Sequence, residues 1–262
     1  MREEIGLDEL KEVLAYNQSE KNLRNCESFE NLNQKYILLQ EQYANSFQEL
    51  NASIDSKAYR KEYSKGGATL HRGFYSPSSL DLVVGGCNRG KILKGTPKNN
   101  TYDYEYIFDD KGILICSKKY SDEFDGVFSI IAIELFVYEQ NRVLSFVFEP
   151  YHNHALSFIS ECQYKNERLV RYESAICELH YGGKGCTEIN VEIFEYVDDL
   201  LRSIFWYRYT PSIKQLDENK FIFFRDAEGY LSTYTVEQLG GYAQNNNFSH
   251  SSDYYRVKAK RK

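Results

Sequence analysis

The sequence predicts an α+β protein in which an N-terminal helical pair precedes a large antiparallel β-meander of about ten to twelve strands. Two observations carry this. The hydrophobic spacing is helical up to residue 65 and alternates with period two beyond it. Polar breaks then recur at residues 109, 139, 165, 197 and 226, each between apolar runs.

Residues 1–65 are rich in Glu, Gln, Asn, Lys and Leu, contain no Pro, and have Gly6 as the one Gly before Lys65-Gly66-Gly67. Leu7, Leu10, Val13 and Leu14 make one amphipathic stripe. After Ser28, a candidate cap, Leu32, Tyr36, Leu39, Tyr43, Phe47, Leu50 and Ile54 follow at spacings of three and four. This near-heptad seam suits a helical hairpin packed on the following domain. The competing use of residues 32–54 is a homodimer contact.

Lys65-Gly66-Gly67 ends the helical section, and the β domain is assigned to 66–240. Tyr102, Tyr104, Tyr106 and Phe108 are expected on one face of a strand, with Asp103 and Glu105 pointing away. Phe128 to Tyr138 is apolar on both faces apart from Ser129 and Glu134, the pattern of a strand covered on both sides. The breaks Asp109-Asp110-Lys111-Gly112, Glu139-Gln140-Asn141-Arg142, Lys165-Asn166-Glu167-Arg168, Val197-Asp198-Asp199 and Asp226-Ala227-Glu228-Gly229 read as hairpin turns. An aromatic stands before each, and paired apolar residues follow. Leu80 to Val84, Gly85 to Gly90 and Lys91 to Leu93 form a candidate sixth strand-turn-strand. Residues 241–262, with Gln244 to Asn247 and Ser249 to Ser252, are expected to be a solvated, basic-ended tail.

Phe108-Asp109-Asp110-Lys111-Gly112-Ile113-Leu114 and Phe224-Arg225-Asp226-Ala227-Glu228-Gly229-Tyr230-Leu231 resemble the aromatic, Asp, Gly and Leu core of YD (RHS-type) repeat hairpins. The likeness covers the turns and a few flanking residues. It implies a relation to β-meander proteins of bacterial polymorphic toxin systems, among them small cytosolic immunity proteins.

Charge narrows the function classes. The net charge is −6, and five cations, Arg256, Lys258, Lys260, Arg261 and Lys262, leave residues 1–255 at −11. An acidic body argues against nucleic acid and favours a basic partner. The Met-Arg-Glu-Glu opening has no apolar stretch behind it, and no eighteen apolar residues run together, so the expectation is a cytoplasmic protein away from membranes. The six Cys show no C-x-x-C spacing and read as free thiols serving as small core residues.

Catalytic motifs are weak throughout. Gly85 to Lys91 matches G-x-x-x-x-G-K, but Ile92 stands where a phosphate-binding loop needs Ser or Thr, and Gly95 and Pro97 oppose a following helix. His152-Asn153-His154 places two imidazoles on what would be one strand face. That spacing can ligate a metal if His180 or Glu149 joins, and it equally fits a polar loop after Pro150. Leu70-His71-Arg72-Gly73 resembles the aromatic-Arg-Gly element of ADP-ribosyltransferases, without that family's later elements. Glu192 and Glu195 are a carboxylate pair of the kind strand exteriors carry routinely.

The aromatic content is more informative: 23 Tyr, 16 Phe and one Trp. Tyr joins a large apolar area to a polar tip and is favoured on protein-binding faces. Trp206, Tyr207 and Tyr209, clustered with Arg208, and Tyr102 and Tyr104 are therefore candidate anchors, with Asp109, Asp110, Asp198 and Asp199 as steering charges. The expectation is a non-enzymatic binding protein without cofactor that occludes a basic protein. The alternatives are an enzyme using His71, Arg72, His152, His154 or His180, and a self-assembling protein using the helical seam.

Overall fold

The computed structural model describes residues 20–66, 80, 90–97, 102–121, 127–178, 185–227, 231–240 and 249–251. Two helices, α1 (Glu20–Tyr43) and α2 (Phe47–Lys57), lead into strands β1 (Arg60–Lys65), β2 (Lys91–Ile92), β3 (Tyr104–Phe108), β4 (Leu114–Ser121), β5 (Ser129–Tyr138), β6 (Arg142–Glu149), β7 (Ala155–Lys165) and β8 (Arg168–Cys177). They continue as β9 (Cys186–Val197), β10 (Leu200–Thr210), β11 (Gln215–Arg225), β12 (Leu231–Gly240) and β13 (Ser249–Ser251). The predicted α+β meander is therefore the fold. The chain forms two compact units, residues 36–185, and residues 1–35 with 186–262.

In the unit of residues 36–185 the strand order is β8-β7-β6-β5-β4-β3-β1-β2. The helical seam packs on one face of it. Tyr36 is fully buried and its hydroxyl donates to Glu173 at 3.2 Å. Tyr43 stacks on Phe146 at 4.1 Å, and Phe47 meets Phe148 at 5.2 Å. Phe146, Phe148, Leu144, Leu135, Ile133, Ile159 and Cys116 form the buried layer under these rings. The seam is interrupted at Ala44 to Ser46, where the Ser46 hydroxyl donates to the Tyr43 carbonyl at 2.7 Å and starts a new helix. A heptad pattern sees side-chain spacing and is blind to such a local hydrogen bond.

Several expectations need correction. Residues 60–65, grouped with the helical segment, form β1, because Arg60 to Ser64 find paired positions opposite Phe108 to Tyr104. Tyr102 leaves the face of Tyr104, Tyr106 and Phe108. The Asp103 carboxylate accepts the Gly66 N–H at 2.6 Å and its N–H donates to the Ser64 carbonyl at 2.8 Å, bending the chain before β3 begins. Tyr102 then packs on Tyr63, Tyr120 and Phe128, at 4.8, 4.9 and 5.3 Å, on the side of Glu105.

Glu105 is itself buried and paired with Lys61 at 3.0 Å, so β3, rather than β5, is the strand covered on both faces. In β5, Ile133 and Leu135 are buried beneath the helices while Glu134 and Phe136 are half-buried on the opposite face.

In the other unit the order is β13-β12-β11-β10-β9. Residues 249–251, assigned to the solvated tail, pair with Thr233 to Thr235 because β12 offers an open edge. Here α1 packs through Phe29, whose ring lies 5.9 Å from Tyr207 and 5.7 Å from Tyr209. The Asn25 amide donates to Glu218 at 2.6 Å.

Four of the predicted turns close the hairpins β3–β4, β5–β6, β7–β8 and β9–β10, and β11 pairs with β12 around the fifth, of which Glu228 and Gly229 lie outside the described residues. Asn166-Glu167 and Asp198-Asp199 have positive φ at both positions, the signature of two-residue type I′ loops. The β3–β4 turn works differently. The Asp109 carboxylate accepts the N–H groups of Lys111 and Ile113 at 3.0 and 2.8 Å, and Gly112 supplies φ 79°.

The candidate sixth strand-turn-strand needs correction: Leu80 is helical, and Lys91–Ile92 form a two-residue strand whose partner is β1, opposite Lys65 and Ser64. Residues 81–89, the stripe of Leu7 to Leu14 and residues 252–262 lie outside the described residues. Cys26, Cys116, Cys162, Cys177 and Cys186 are buried free thiols, as expected. No helix among the described residues is long and apolar enough to cross a membrane.

Candidate functional site

Strand alternation divides the β10 aromatics. Tyr207 and Tyr209 face Phe29, and Tyr209 is 1% exposed, with burial as the first cause pushing its hydroxyl up to about 12. Trp206 and Arg208 emerge on the opposite face. Arg208 is opposite Asp217 on β11, and its Nε and Nη2 both donate to Asp217 Oδ2 at 3.0 and 2.6 Å. The other Asp217 oxygen accepts the Gln215 amide at 3.1 Å. Thus anchored, the guanidinium lies 5.5 Å from the Trp206 ring, and Trp206 meets Phe221 edge-on at 6.4 Å. Held this way, the Trp206–Arg208 pair has little side-chain freedom left to lose.

The turn at the start of β10 carries Asp198 and Asp199, both exposed and flanked by apolar Val197 and Leu200. At about 3.3 Å per residue this acidic tip lies roughly 20 Å from Trp206 along the same hairpin. Asp110 is exposed too, beside Lys111, whereas Asp109 is half-buried and engaged in its own turn. Tyr104 is 6% exposed and packs with Tyr106, Phe108 and Leu114. Of the candidate anchors, Trp206, Tyr207 and Tyr102 keep partial exposure.

The two imidazoles stand in a turn, not on a strand face. Pro150–His152 form a short 3-10 turn, and Asn153 and His154 both follow in the left-handed region at φ 55° and 56°. His152 Nε2 is 3.6 Å from Glu149, and the His154 ring stacks on Phe47 at 4.0 Å. Among the described residues no group of three His, Cys, Asp or Glu side chains gathers to hold a metal. His71, Arg72 and His180 lie outside the described residues.

Two features escaped sequence reasoning. A cleft of about 280 Å³ borders the histidine turn, and Gln40, Asn45 and Glu178 line it with the turn residues. Its parts come from three distant stretches, so no local motif announces it. The second is a polar row on the face of residues 36–185 opposite the helices. Tyr106, Ser117, Glu134 and Val147 lie in one register line, and Ser145, Ser160 and Ser174 in the next. The Ser145 and Ser160 hydroxyls are 2.7 Å apart. Burial pushes the Glu134 carboxyl up to about 7, against the lowering effect of the Ser145 hydrogen bond. The sequence signal was present, as Ser145, Ser160 and Ser174 at matching positions of successive hairpin strands.

No protein-family model matches this chain, and no curated protein does. Among solved structures it is similar to a protein of unknown function from Bacteroides fragilis NCTC 9343. The identity is 12%, the TM-score is 0.32, and the match covers 42% of this chain and 82% of that one.

Proposed function

We propose that this chain is a non-enzymatic protein-binding protein that occludes a basic partner, in the manner of the immunity proteins of bacterial conflict systems. The observation that carries the reading is the β9–β10 hairpin. It joins a Trp206–Arg208 platform, fixed by Asp217, to an exposed Asp198–Asp199 tip within the reach of one standard interface. The charge of −11 over residues 1–255 supports a basic partner, which the acidic tip steers and the platform anchors.

The test begins with capture of the partner from host lysate and continues with titration of the purified pair. Trp206→Ala is expected to weaken binding by about 30-fold or more, the size of an anchor residue. Asp198→Lys with Asp199→Lys is expected to slow association about tenfold at low salt and to flatten its salt dependence. Both variants should keep the wild-type thermal transition within a few degrees. Unchanged binding by both, or recovery of no protein partner at all, overturns the proposal.

A further inference from the structure

The protein makes the same kind of strand connection twice. Between β10 and β11, Pro211–Ile213 form a 3-10 turn and one left-handed residue, Lys214 at φ 50°, returns the chain. Between β6 and β7, Pro150–His152 do the same, yet two left-handed residues follow, Asn153 and His154. Lys214 shows that one suffices to close such a hairpin. The second costs roughly 1 kcal/mol for a side chain with a Cβ, and strain of this kind persists where the surroundings hold it in place. His154 is held by its N–H, which donates to the Glu149 carbonyl at 3.0 Å, and by the stack of its ring on Phe47, and the result is an imidazole at the edge of the cleft.

The cleft's lining selects a chemistry. Three primary amides, from Gln40, Asn45 and Asn153, offer paired donors and acceptors without charge. Gln40 is set in place by accepting the Gly185 N–H at 3.2 Å. The Glu178 carboxylate on the rim and Glu149 behind His152 disfavour an anion. Leu156 supplies a buried apolar floor. A volume of about 280 Å³ falls just below the range of drug-sized sites, about 300 to 1,000 Å³, and suits a smaller molecule.

We propose that this cleft binds a neutral polyhydroxylated molecule of monosaccharide size, its hydroxyls matched by the amides and Glu178. The site is independent of the β9–β10 surface.

The experiment is calorimetric titration of the full chain with a panel of neutral monosaccharides, and in parallel with free amino acids and with calcium chloride alone. The expected result is one or more saccharides binding with Kd at or below about 1 mM. His154→Gly keeps the left-handed backbone while removing the ring, and Asn45→Ala removes one amide; each should weaken binding about tenfold or more. The His154→Gly protein should melt no lower than wild type, which separates loss of the site from loss of the fold. Absence of saccharide binding up to about 10 mM overturns the proposal. Saccharide binding that both variants leave intact also overturns it, as does exclusive binding of amino acids or calcium.

Discussion

Glu134 makes the stability of this protein depend on pH in an unusual direction. Its carboxyl moves from 4.5 to about 7 because burial on the sheet face disfavours the charge. Ser117 and Val147 lie directly opposite it, and the titratable groups near it in register are Lys119, diagonal on β4, Glu149, diagonal on β6, and Tyr138, four residues on. Below about pH 4.5 the group is protonated in both folded and unfolded chains and contributes nothing. Between about 4.5 and 7 the folded state holds a proton that the unfolded state has released, so stability falls as pH rises, and above 7 the full cost is present. A shift of this size corresponds to at most about 3 kcal/mol, and partial solvent access brings the expectation to about 1–3 kcal/mol.

Glu134→Gln removes the charge while keeping an oxygen to accept the Ser145 hydroxyl. At about pH 8 the variant should be more stable than wild type by about 1–3 kcal/mol, and at about pH 5 by much less. In urea the difference at the higher pH is a midpoint shift of about 0.5–1 M. Every other titrating group cancels in the comparison. Equal wild-type and variant differences at the two pH values would refute the reasoning.

Three further outcomes follow from local geometry. Glu167→Gly should raise stability by about 0.5 kcal/mol, since Glu167 has φ 63° in a type I′ loop. Asn141→Gly, in a turn without positive φ, should lower it by about 0.5–1 kcal/mol, and thermal melts of the two should therefore move in opposite directions. Tyr36→Phe deletes the hydroxyl bonded to buried Glu173 and should cost about 1.5–3 kcal/mol in urea unfolding, with Phe146→Ala, in the same layer, costing about 3–5 kcal/mol. Asp109→Ala frees two backbone N–H groups in the β3–β4 turn and should cost about 1 kcal/mol with faster amide exchange at Lys111 and Ile113.

The hairpins were legible in the sequence because each turn states its own chemistry. Asp109 with Gly112, Asn166-Glu167 and Asp198-Asp199 are short-range signals, and strands on either side must alternate. The seam from Tyr36 to Ile54 was legible as a sheet-facing stripe for the same reason, buried at its two ends and half-buried at Leu39, Tyr43, Phe47 and Leu50. What escaped depends on partners far along the chain. The bend at Asp103 needs the Gly66 amide, Glu105 is buried with Lys61 reaching it, and the Glu134 carboxyl is pushed up because burial between β4 and β6 outweighs the lowering effect of Ser145. The division of Trp206 from Tyr207 followed from alternation alone, but the position of Phe29 was needed to say which face α1 covers. The cleft beside His154 draws on residues more than a hundred positions apart and was outside the reach of any motif.

The β9–β10 hairpin is the docking surface proposed for the partner. Amide hydrogen exchange of the chain alone and in complex with its captured partner tests this directly. The expected footprint is slowed exchange from Asp198 to Arg208, fading with Trp206→Ala. A footprint confined to other strands, with residues 198–208 unchanged, would contradict it.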